Sequence, residues 1–258
     1  MISGSKENKD EKDDRLIISR AEDALRSAQN RHITKSVGFL NPHMRSLILK
    51  NIISTSDVKT FFEGGYPDAE RVMFICMPQY EEINPDDFIS VIEVTGRDIK
   101  RLTHRDYLGS LMGLGITREN IGDILVGDEK SFMFVKPEIA DYILLNLEKI
   151  GNCGVKLKRL CCSDAELPAP KINEIRATVA SLRIDVIVAT ITNLSRAKTD
   201  ELIKKGLVSI NFEVVESVSK VLEAGALISI RGFGRAKIKE IGGITKKGKT
   251  VIIIEKYE

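Results

Sequence analysis

Two stretches of the sequence carry residues whose types and spacing could support chemistry. The first, GITKKGKT at residues 243–250, matches G-x-x-x-x-G-K-[ST], the loop with which nucleotide hydrolases bind phosphate. Such a loop functions where a helix N-terminus follows at once, because its amides then surround the phosphates. Here VIIIEKYE follows, and its β-branched run favours a strand. We therefore predict a hairpin tip that presents three lysines to solvent: Lys246, Lys247 and Lys249.

The second stretch, residues 182–211, predicts a phosphate-binding surface at the start of a helix. Ser195 is a favourable N-cap, so the amides of the next turn point outward with the positive end of the helix dipole. Arg196 and Lys198 lie at that end and add cations to it. Gly206 is expected to end the helix in the left-handed conformation. These residues can bind phosphate, and they supply no nucleophile, general base or metal ligand.

This stretch resembles the S-four domain, an RNA-binding module named after a ribosomal protein of the small subunit. The family pattern is Arg-x-Asp, a helix, Ser-Arg, and then Ile-x-x-Gly-x-Val-x-Val-Asn. Its positions are filled here by Arg183, Asp185, Ser195, Arg196, Ile203, Gly206, Val208, Ile210 and Asn211. Glycine commonly follows this asparagine in the family, whereas this chain has Phe212, so the turn is expected to differ. The resemblance implies RNA binding chiefly through Arg183, Ser195, Arg196 and Lys198, with Asp185 orienting Arg183.

Further basic residues extend this prediction. From Arg176 onward, fifteen Lys and Arg stand against nine Asp and Glu, a balance of +6, while the preceding residues balance to −4. The C-terminal third is therefore the part suited to a polyanion. Lys204 and Lys205 are further candidate contacts, although lysines late in a helix also suit its negative end. Arg231 and Arg235 are the first and last residues of the segment RGFGR. If this segment adjoins the hairpin tip, the segment and the tip form one basic surface. Otherwise the tip is an ordinary solvated loop.

The middle of the chain, residues 81–165, predicts the order βαββαβ, as in ferredoxin-like and RNA-recognition domains. Its third strand, KSFMFVK, partly matches the RNA-contacting strand of those domains. Phe132 and Phe134 share one face of this strand and are candidates for base stacking, with Lys130 beside them. The alternative is that both rings belong to the core, as phenylalanine in a sheet usually does.

The HRD triplet at residues 104–106 is similar to a kinase catalytic loop but lacks the asparagine that the loop needs five residues later. We interpret it as a helix start, with Asp106 favourable near the N-terminus. The glycine-rich LGSLMGLG that follows could allow close packing or the approach of RNA.

The fold class predicted is α+β, in several domains. We expect a small helical or α/β module at residues 1–80, the βαββαβ domain at 81–165, a proline-stiffened linker at 166–175 and the S-four RNA-binding domain at 176–258. Within the first module, the pattern predicts one helical apolar stripe, made of Leu16, Ile17, Ala21, Ala24, Leu25 and Ala28. The residues before it, MISGSKENKDEKDDR, are expected to be a solvated tail of mixed charge.

Composition excludes several classes of protein. Hydrophobic residues make up 43% and charged residues 29%, and no apolar run approaches the ~18 residues of a membrane span. No secretory signal is visible, and the four cysteines lack metal-site spacing. We expect a reduced cytoplasmic protein without a metal, a cofactor or a membrane partner.

Motifs along nearly the whole chain resemble the YlmH family of bacterial S-four proteins. They are FLNP (39–42), GGYPDAER (64–71), HRDYLGSLMGLGITRENIGDI (104–124), and RGFGRAKI with TKKGK. The resemblance implies a non-enzymatic factor that binds ribosomal RNA on the ribosome or its large subunit in translation quality control. It leaves tRNA open as a second ligand, and the family's gene neighbourhood links it to cell division; we expect a monomer. The alternative is an RNA-modifying enzyme, a pseudouridine synthase or methyltransferase anchored by an S-four domain. Those enzymes usually place that domain ahead of a catalytic domain of about 200 residues.

Overall fold

A computed structural model describes residues 4–53, 55–67, 69–168, 172–211 and 213–257, of which residues 4–11 and 213 are described by their backbone. The chain divides into two compact units, Met1–Pro168 and Ala169–Glu258. The mixed α+β class predicted from the sequence is confirmed, with six α-helices in these ranges. None of these helices is both long and apolar enough to cross a lipid bilayer.

In the described residues of the first unit there are four α-helices and nine strands. The helices are α1 (Gly4–Arg31), α2 (Pro42–Asn51), α3 (His104–Gly113) and α4 (Pro137–Asn146). The strands are β1 (Lys35–Leu40), β2 (Val58–Glu63), β3 (Val72–Pro78), β4 (Ser90–Thr95), β5 (Ile121–Leu125), β6 (Lys130–Val135), β7 (Lys149–Ile150), β8 (Cys153–Gly154) and β9 (Lys156–Leu160).

Helix α1 corrects the prediction of an N-terminal tail. It begins at Gly4 and includes most of the segment expected to be a solvated tail; residues 1–3 lie outside the described ranges. Lysine and glutamate are good helix formers, so the charged turns continue a helix that is anchored further along. The anchor is the predicted apolar stripe, of which Ile17, Ala21, Ala24 and Ala28 are buried and Leu25 is half-buried, whereas Leu16 is 49% exposed.

The first sheet has the strand order β1-β3-β2, with all pairs antiparallel. Its central strand β3 is buried along its whole length, which requires cover on both faces. Phe74 and Cys76 pack with α1 and α2 on one face, while Met73 and Ile75 pack against the second sheet on the other. Strand β3 therefore joins two hydrophobic cores.

The second sheet has the order β5-β6-β4-β9, and its strands and helices follow one another as βαββαβ with the small β7–β8 hairpin inserted. Met133 and Val135 on one face of β6 pack in the core that includes α3 and α4. Phe132 and Phe134 on the other face pack against the first sheet. The unit is consequently four layers deep, with helices outside and two sheets between them.

The second unit contains α5 (Ile184–Thr192), α6 (Arg196–Lys204) and a six-stranded sheet. The strands are β10 (Ile172–Val179), β11 (Val208–Ile210), β12 (Glu213–Val214), β13 (Leu227–Ile230), β14 (Gly234–Ile244) and β15 (Thr250–Tyr257), in the spatial order β10-β15-β14-β13-β11-β12. Ile187 and Ile203 of the two helices pack on the sheet around Ile254.

Strand β10 corrects the predicted linker. The linker was expected to end at residue 175, but Ile172 already pairs with Tyr257 and Ile175 with Ile254. Exposed and partly buried residues alternate along β10, which fits a strand at the edge of the sheet. The prolines that suggested a linker precede this strand in the sequence. Residues 172–175 therefore belong to the second unit.

Candidate nucleic-acid interface

Helix α6 begins where the sequence predicted. Ser195 occupies the N-cap position with extended backbone, and its carbonyl accepts bonds from the amide (3.0 Å) and hydroxyl (3.1 Å) of Thr199. The Ser195 hydroxyl makes no capping bond, so capping does not occupy it. Arg196 and Lys198 are exposed in the same turn, beside amides that the helix itself leaves unpaired. This end of α6 therefore offers N–H donors, a hydroxyl and two cations to an anion.

Arg183 is fixed at the start of α5 by Asp185. Its Nε donates to Asp185 Oδ1 at 3.0 Å and its Nη2 to Asp185 Oδ2 at 3.2 Å, a bidentate pair. The Asp185 carboxylate is nearly buried, whereas the arginine side chain is 43% exposed. These hydrogen bonds and the negative charge raise the pKa of Arg183 further above its ordinary value. The predicted role of Asp185, orienting the arginine, matches this geometry.

Asp200 is a carboxylate of α6 whose charge acts on Arg183. It lies one helical turn after Arg196, and its charge contributes to the raised pKa of Arg183. Its Oδ1 atom is buried and accepts no hydrogen bond from the part of the chain that the structure describes. Both arginines are therefore neighbours of one carboxylate, and we call Arg183, Ser195, Arg196 and Lys198 the helix-start platform.

Four further candidate cations lie away from the start of α6: Lys204, Lys205, Arg231 and Arg235. Lys205 Nζ forms an ion pair with Glu201 Oε1 at 2.6 Å, and Lys204 is exposed in the last turn of α6. The amide of Arg231 donates to the carbonyl of Leu207 at 2.9 Å, just after the end of α6. Arg235 lies over the ring of Tyr257, 6.0 Å from its centre. Arg231 is thus placed beside the end of α6 rather than at its start, about 12 Å away along the helix.

The GITKKGKT stretch is the tip of the β14–β15 hairpin, as predicted. Its backbone is engaged within the turn: the amide of Thr245 donates to Lys249, that of Gly248 to Thr245, and that of Lys249 to the Thr245 hydroxyl. Amides engaged in this way cannot surround a phosphate, and a strand follows instead of a helix. The three lysines of the tip, Lys246, Lys247 and Lys249, are exposed.

The hairpin tip and the RGFGR segment do not form one surface. Arg235 pairs with Tyr257 at one end of the β14–β15 ladder, and Ile244 pairs with Thr250 at the other. The nine residue-to-residue steps from Arg235 to Ile244 span roughly 30 Å of strand. The tip instead lies at the end where Val179 pairs with Thr250, four residues before Arg183. The alternative of a separate, solvated tip therefore holds, because β14 has 11 residues where the sequence suggested short strands.

Phe132 and Phe134 are not available to stack on bases. They are 1% and 0% exposed, in the core between the two sheets of the first unit. The centres of the Tyr66 and Phe134 rings are 5.0 Å apart. A Cβ added to Gly65 would lie 2.8 Å from the Phe134 ring. The GGYPDAER loop therefore closes over this face. Lys130, the third candidate here, forms an ion pair with Glu93 at 2.9 Å.

The motifs that resemble the family in the first unit meet in one structural network. Asp123 accepts bonds from the Tyr66 hydroxyl (2.7 Å) and the amides of Glu70 (2.7 Å) and Arg71 (3.1 Å). Arg71 donates to the carbonyls of Phe39, Arg118 and Ile121. Burial, and secondarily the charge of Arg118, lower the pKa of Arg71 to about 10. These residues hold the two sheets together rather than forming an exposed site.

The HRD triplet begins α3, as interpreted from the sequence. Asp106 accepts from the amide and the hydroxyl of Thr103, both at 2.7 Å, and these bonds lower its pKa. This arrangement is a capping box. Elsewhere in the described ranges, no group of three or more His, Cys, Asp or Glu side chains could hold a metal ion.

Sequence reasoning missed one cation near Arg183. The amide of Ile184 donates to the carbonyl of Lys220 at 2.8 Å, and Arg183 forms an antiparallel bridge with Val221. Lys220 is exposed and so adds a cation beside the helix-start platform. A separation of 37 residues in the sequence gives no local signal for this contact.

Comparisons with known proteins complete the description of the chain. The family model "YlmH, N-terminal" matches residues 13–80, and "Putative RNA-binding domain in YlmH" matches residues 84–164. The "Ribosome-associated protein quality control protein P2" of Bacillus subtilis (strain 168) is 35% identical over 249 residues, 96% of each chain. The solved "Cell division protein ylmH from Streptococcus pneumoniae" is 21% identical, with a TM-score of 0.51 over 60% of this chain and 95% of that one. This last similarity concerns the fold.

Proposed function

The chain belongs to the YlmH family, and on this premise we propose that it binds structured ribosomal RNA, on the ribosome or its large subunit, without catalysing a reaction. The name of the Bacillus subtilis relative supports a role in ribosome-associated quality control of translation. The family model over residues 84–164 supports RNA as the ligand. A binding role of this kind needs exposed cations held in fixed positions, and tRNA beside the ribosomal RNA is compatible with it.

We assign the RNA contact to the second unit, as an S-four domain. The pattern from Arg183 to Asn211 supports this, and so does the conformation of two of its residues. Gly206 has φ +66° and Asn211 has φ +46°. The backbone N–H of Asn211 donates to the carbonyl of Leu227, and its side-chain Oδ1 accepts from the backbone N–H of Leu227. Phe212, where the pattern usually has glycine, lies outside the described residues.

The observation that carries the proposal is the helix-start platform. Arg183 is oriented by a bidentate carboxylate pair that engages two of its five N–H groups. Arg196 and Lys198 stand beside outward-pointing amides at the positive end of α6. Phosphate oxygens are the partners that such donors prefer, and an RNA backbone presents them in series. Recognition would then depend on RNA shape as much as on bases.

The same geometry supports binding without catalysis. Asp185, the carboxylate nearest the platform arginine, is nearly buried and committed to Arg183. Lys205 is paired with Glu201, and the phosphate-loop-like turn uses its own amides. The platform groups themselves are cations, a hydroxyl and amides, which neutralise and orient phosphates, and the Asp200 carboxylate beside them is only partly exposed.

Crosslinking to purified large ribosomal subunits tests the proposal. The full chain is irradiated on the subunits, and the crosslinked peptides and nucleotides are both mapped. We expect peptides around residues 183 and 195–198 on a defined RNA helix, and an unchanged nucleoside composition of that RNA. Crosslinks confined to ribosomal proteins would contradict RNA binding. A new modified nucleoside that appears only with the protein would instead establish the RNA-modifying alternative.

A further inference from the structure

Most exposed cations of residues 84–164 lie away from the centre of the sheet face that an RNA-recognition domain would use; Lys130 and Lys158 lie on that face, and Lys156 lies at its end. Phe132 and Phe134 close that face, as described above. Six exposed cations lie instead around the connection from β4 to α3 and the adjoining β7–β8 hairpin. We call them the β4–α3 patch: Arg97, Lys100, Arg101, Arg105, Lys149 and Lys156.

The backbone brings five of these cations together, and Arg105 follows in the first turn of α3. Ile99 and Leu102 are buried, so Lys100 and Arg101 between them point outward. A Cβ on Gly96 would lie 2.6 Å from the carbonyl oxygen of Gly154, so this connection and the hairpin are in contact. The strand pairing then places the two lysines near Arg97. Lys149 pairs with Gly154 of the hairpin, and Lys156 pairs with Thr95, two residues before Arg97.

The patch keeps an excess of positive charge. The carboxylates next to its cations along the chain are Asp98, Asp106 and Glu148. Asp98 lies 3.8 Å from Arg101, and Asp106 is engaged by Thr103 in the capping box. Among the described residues, this contact of Arg101 is the one ion pair that any of the six cations forms. This excess of positive charge occurs among residues 1–175, whose net charge is −4.

The surface next to the patch has low relief. On α3, Gly109 and Gly113 are exposed one turn apart, and an added Cβ at either would meet nothing within 4 Å. Internal packing therefore does not require glycine at these positions, although glycine weakens a helix. Met112 is the one large exposed apolar side chain on the described residues of α3. A protein interface would usually have a larger apolar centre.

We propose that the β4–α3 patch is a second RNA-binding site, in which its arginines and lysines contact the phosphates of a structured RNA while α3 lies against the backbone. The proposal deepens, and rests on, the ribosomal RNA binding proposed above. The positive charge of the patch favours a polyanionic ligand. Arginine guanidinium groups form bidentate hydrogen bonds with phosphate, and consecutive phosphates of an RNA strand match a row of cations. The site lies in the first unit, so its contribution can be measured separately from that of the helix-start platform.

The test measures binding of the full chain to purified large-subunit RNA at several salt concentrations. The patch variant is Arg97→Gln/Lys100→Gln/Arg105→Gln. The matched control, Arg15→Gln/Arg31→Gln/Lys35→Gln, removes three exposed cations elsewhere in the same unit. We expect the patch variant to bind roughly tenfold more weakly or worse, with the slope of log K against log salt less steep by about 2 to 3. Wild-type affinity and slope in the patch variant would overturn the proposal.

Two comparisons separate this site from the platform and from a protein partner. If Arg196→Glu/Lys198→Glu abolishes RNA binding while the patch variant binds like wild type, the second site is refuted and the proposed function stands. If the patch variant alone loses affinity, the second site stands and the platform is refuted. A patch variant that binds free RNA normally but dissociates from intact subunits would identify an acidic protein surface and overturn the assignment to RNA. Thermal unfolding of all three variants verifies that they are folded.

Discussion

Arg183 and Asp185 form a bidentate pair, with Nε to Oδ1 at 3.0 Å and Nη2 to Oδ2 at 3.2 Å, at the start of the helix that precedes α6. The carboxylate is nearly buried and the guanidinium is partly exposed, so the pair holds a cation at the surface in one orientation. Arg183 is therefore expected to act in RNA binding through its direction as well as its charge.

Asp185→Asn should weaken RNA binding about three- to tenfold, because the amide cannot accept both N–H groups of Arg183 as strongly. Arg183→Lys should have a similar effect, since lysine keeps the charge but loses the planar fork. Affinity for large-subunit RNA at fixed salt measures both. Lys256→Arg is a conservative control on β15. Wild-type affinity in both variants would mean that the orientation of Arg183 is irrelevant.

Asp123→Asn should destabilise the first unit by about 2 to 3 kcal/mol, because the carboxylate accepts three hydrogen bonds in a nearly buried position. Urea unfolding followed by circular dichroism measures the change. Asp98→Asn, at an exposed carboxylate, is the control and should change stability by less than about 0.5 kcal/mol. A variant with wild-type stability would show that the GGYPDAER loop is held by other contacts.

Gly109→Ala should stabilise the protein by about 0.5 to 1 kcal/mol, because alanine favours a helix and the position has open space. Gly206→Ala should do the opposite: Gly206 has φ +66°, and a Cβ there would lie 3.3 Å from Val214. Melting temperatures distinguish the two. A lower melting temperature for Gly109→Ala would show that this glycine has a structural role within the fold.

Asp106 should make stability depend on pH in the acid range. Hydrogen bonds from Thr103 lower its pKa below the ordinary value of 3.8, so the folded state favours the ionised form. This contribution is complete above about pH 4 and is lost as the pH falls through the lower pKa of the folded protein. Melting temperature against pH should therefore fall less steeply below pH 4 in Asp106→Asn than in wild type. Parallel curves would exclude the capping box as a source of this dependence.

The start of α6 could be predicted because its signals are local. A cap at Ser195, cations in the next turn and a left-handed Gly206 all lie within twelve residues. The burial of Phe132 depends on a sheet formed by another part of the chain. One signal was available, since both faces of β6 are apolar, which indicates a strand covered on both sides.

Long-range contacts account for the remaining differences. Lys220 lies close to Arg183 because the next residue, Val221, forms a β-bridge with Arg183 across 38 residues of sequence. The separation of the hairpin tip from Arg235 follows from the length and register of β14, which the irregular apolar pattern of that strand concealed. The helical turns after Gly4 depend on an anchor that begins near Ile17, and their own sequence has no apolar period.

The most direct measurement is sedimentation of the Arg196→Glu/Lys198→Glu variant with purified large ribosomal subunits at increasing salt, beside wild type and a charge-matched Arg31→Glu/Lys35→Glu control. The account predicts that the control sediments with the subunits like wild type. The Arg196→Glu/Lys198→Glu variant should remain in the supernatant at salt concentrations where wild type still binds, with an unchanged melting temperature because both side chains are exposed. Sedimentation of this variant at the wild-type level across the whole salt range would contradict the assignment of RNA binding to the start of α6.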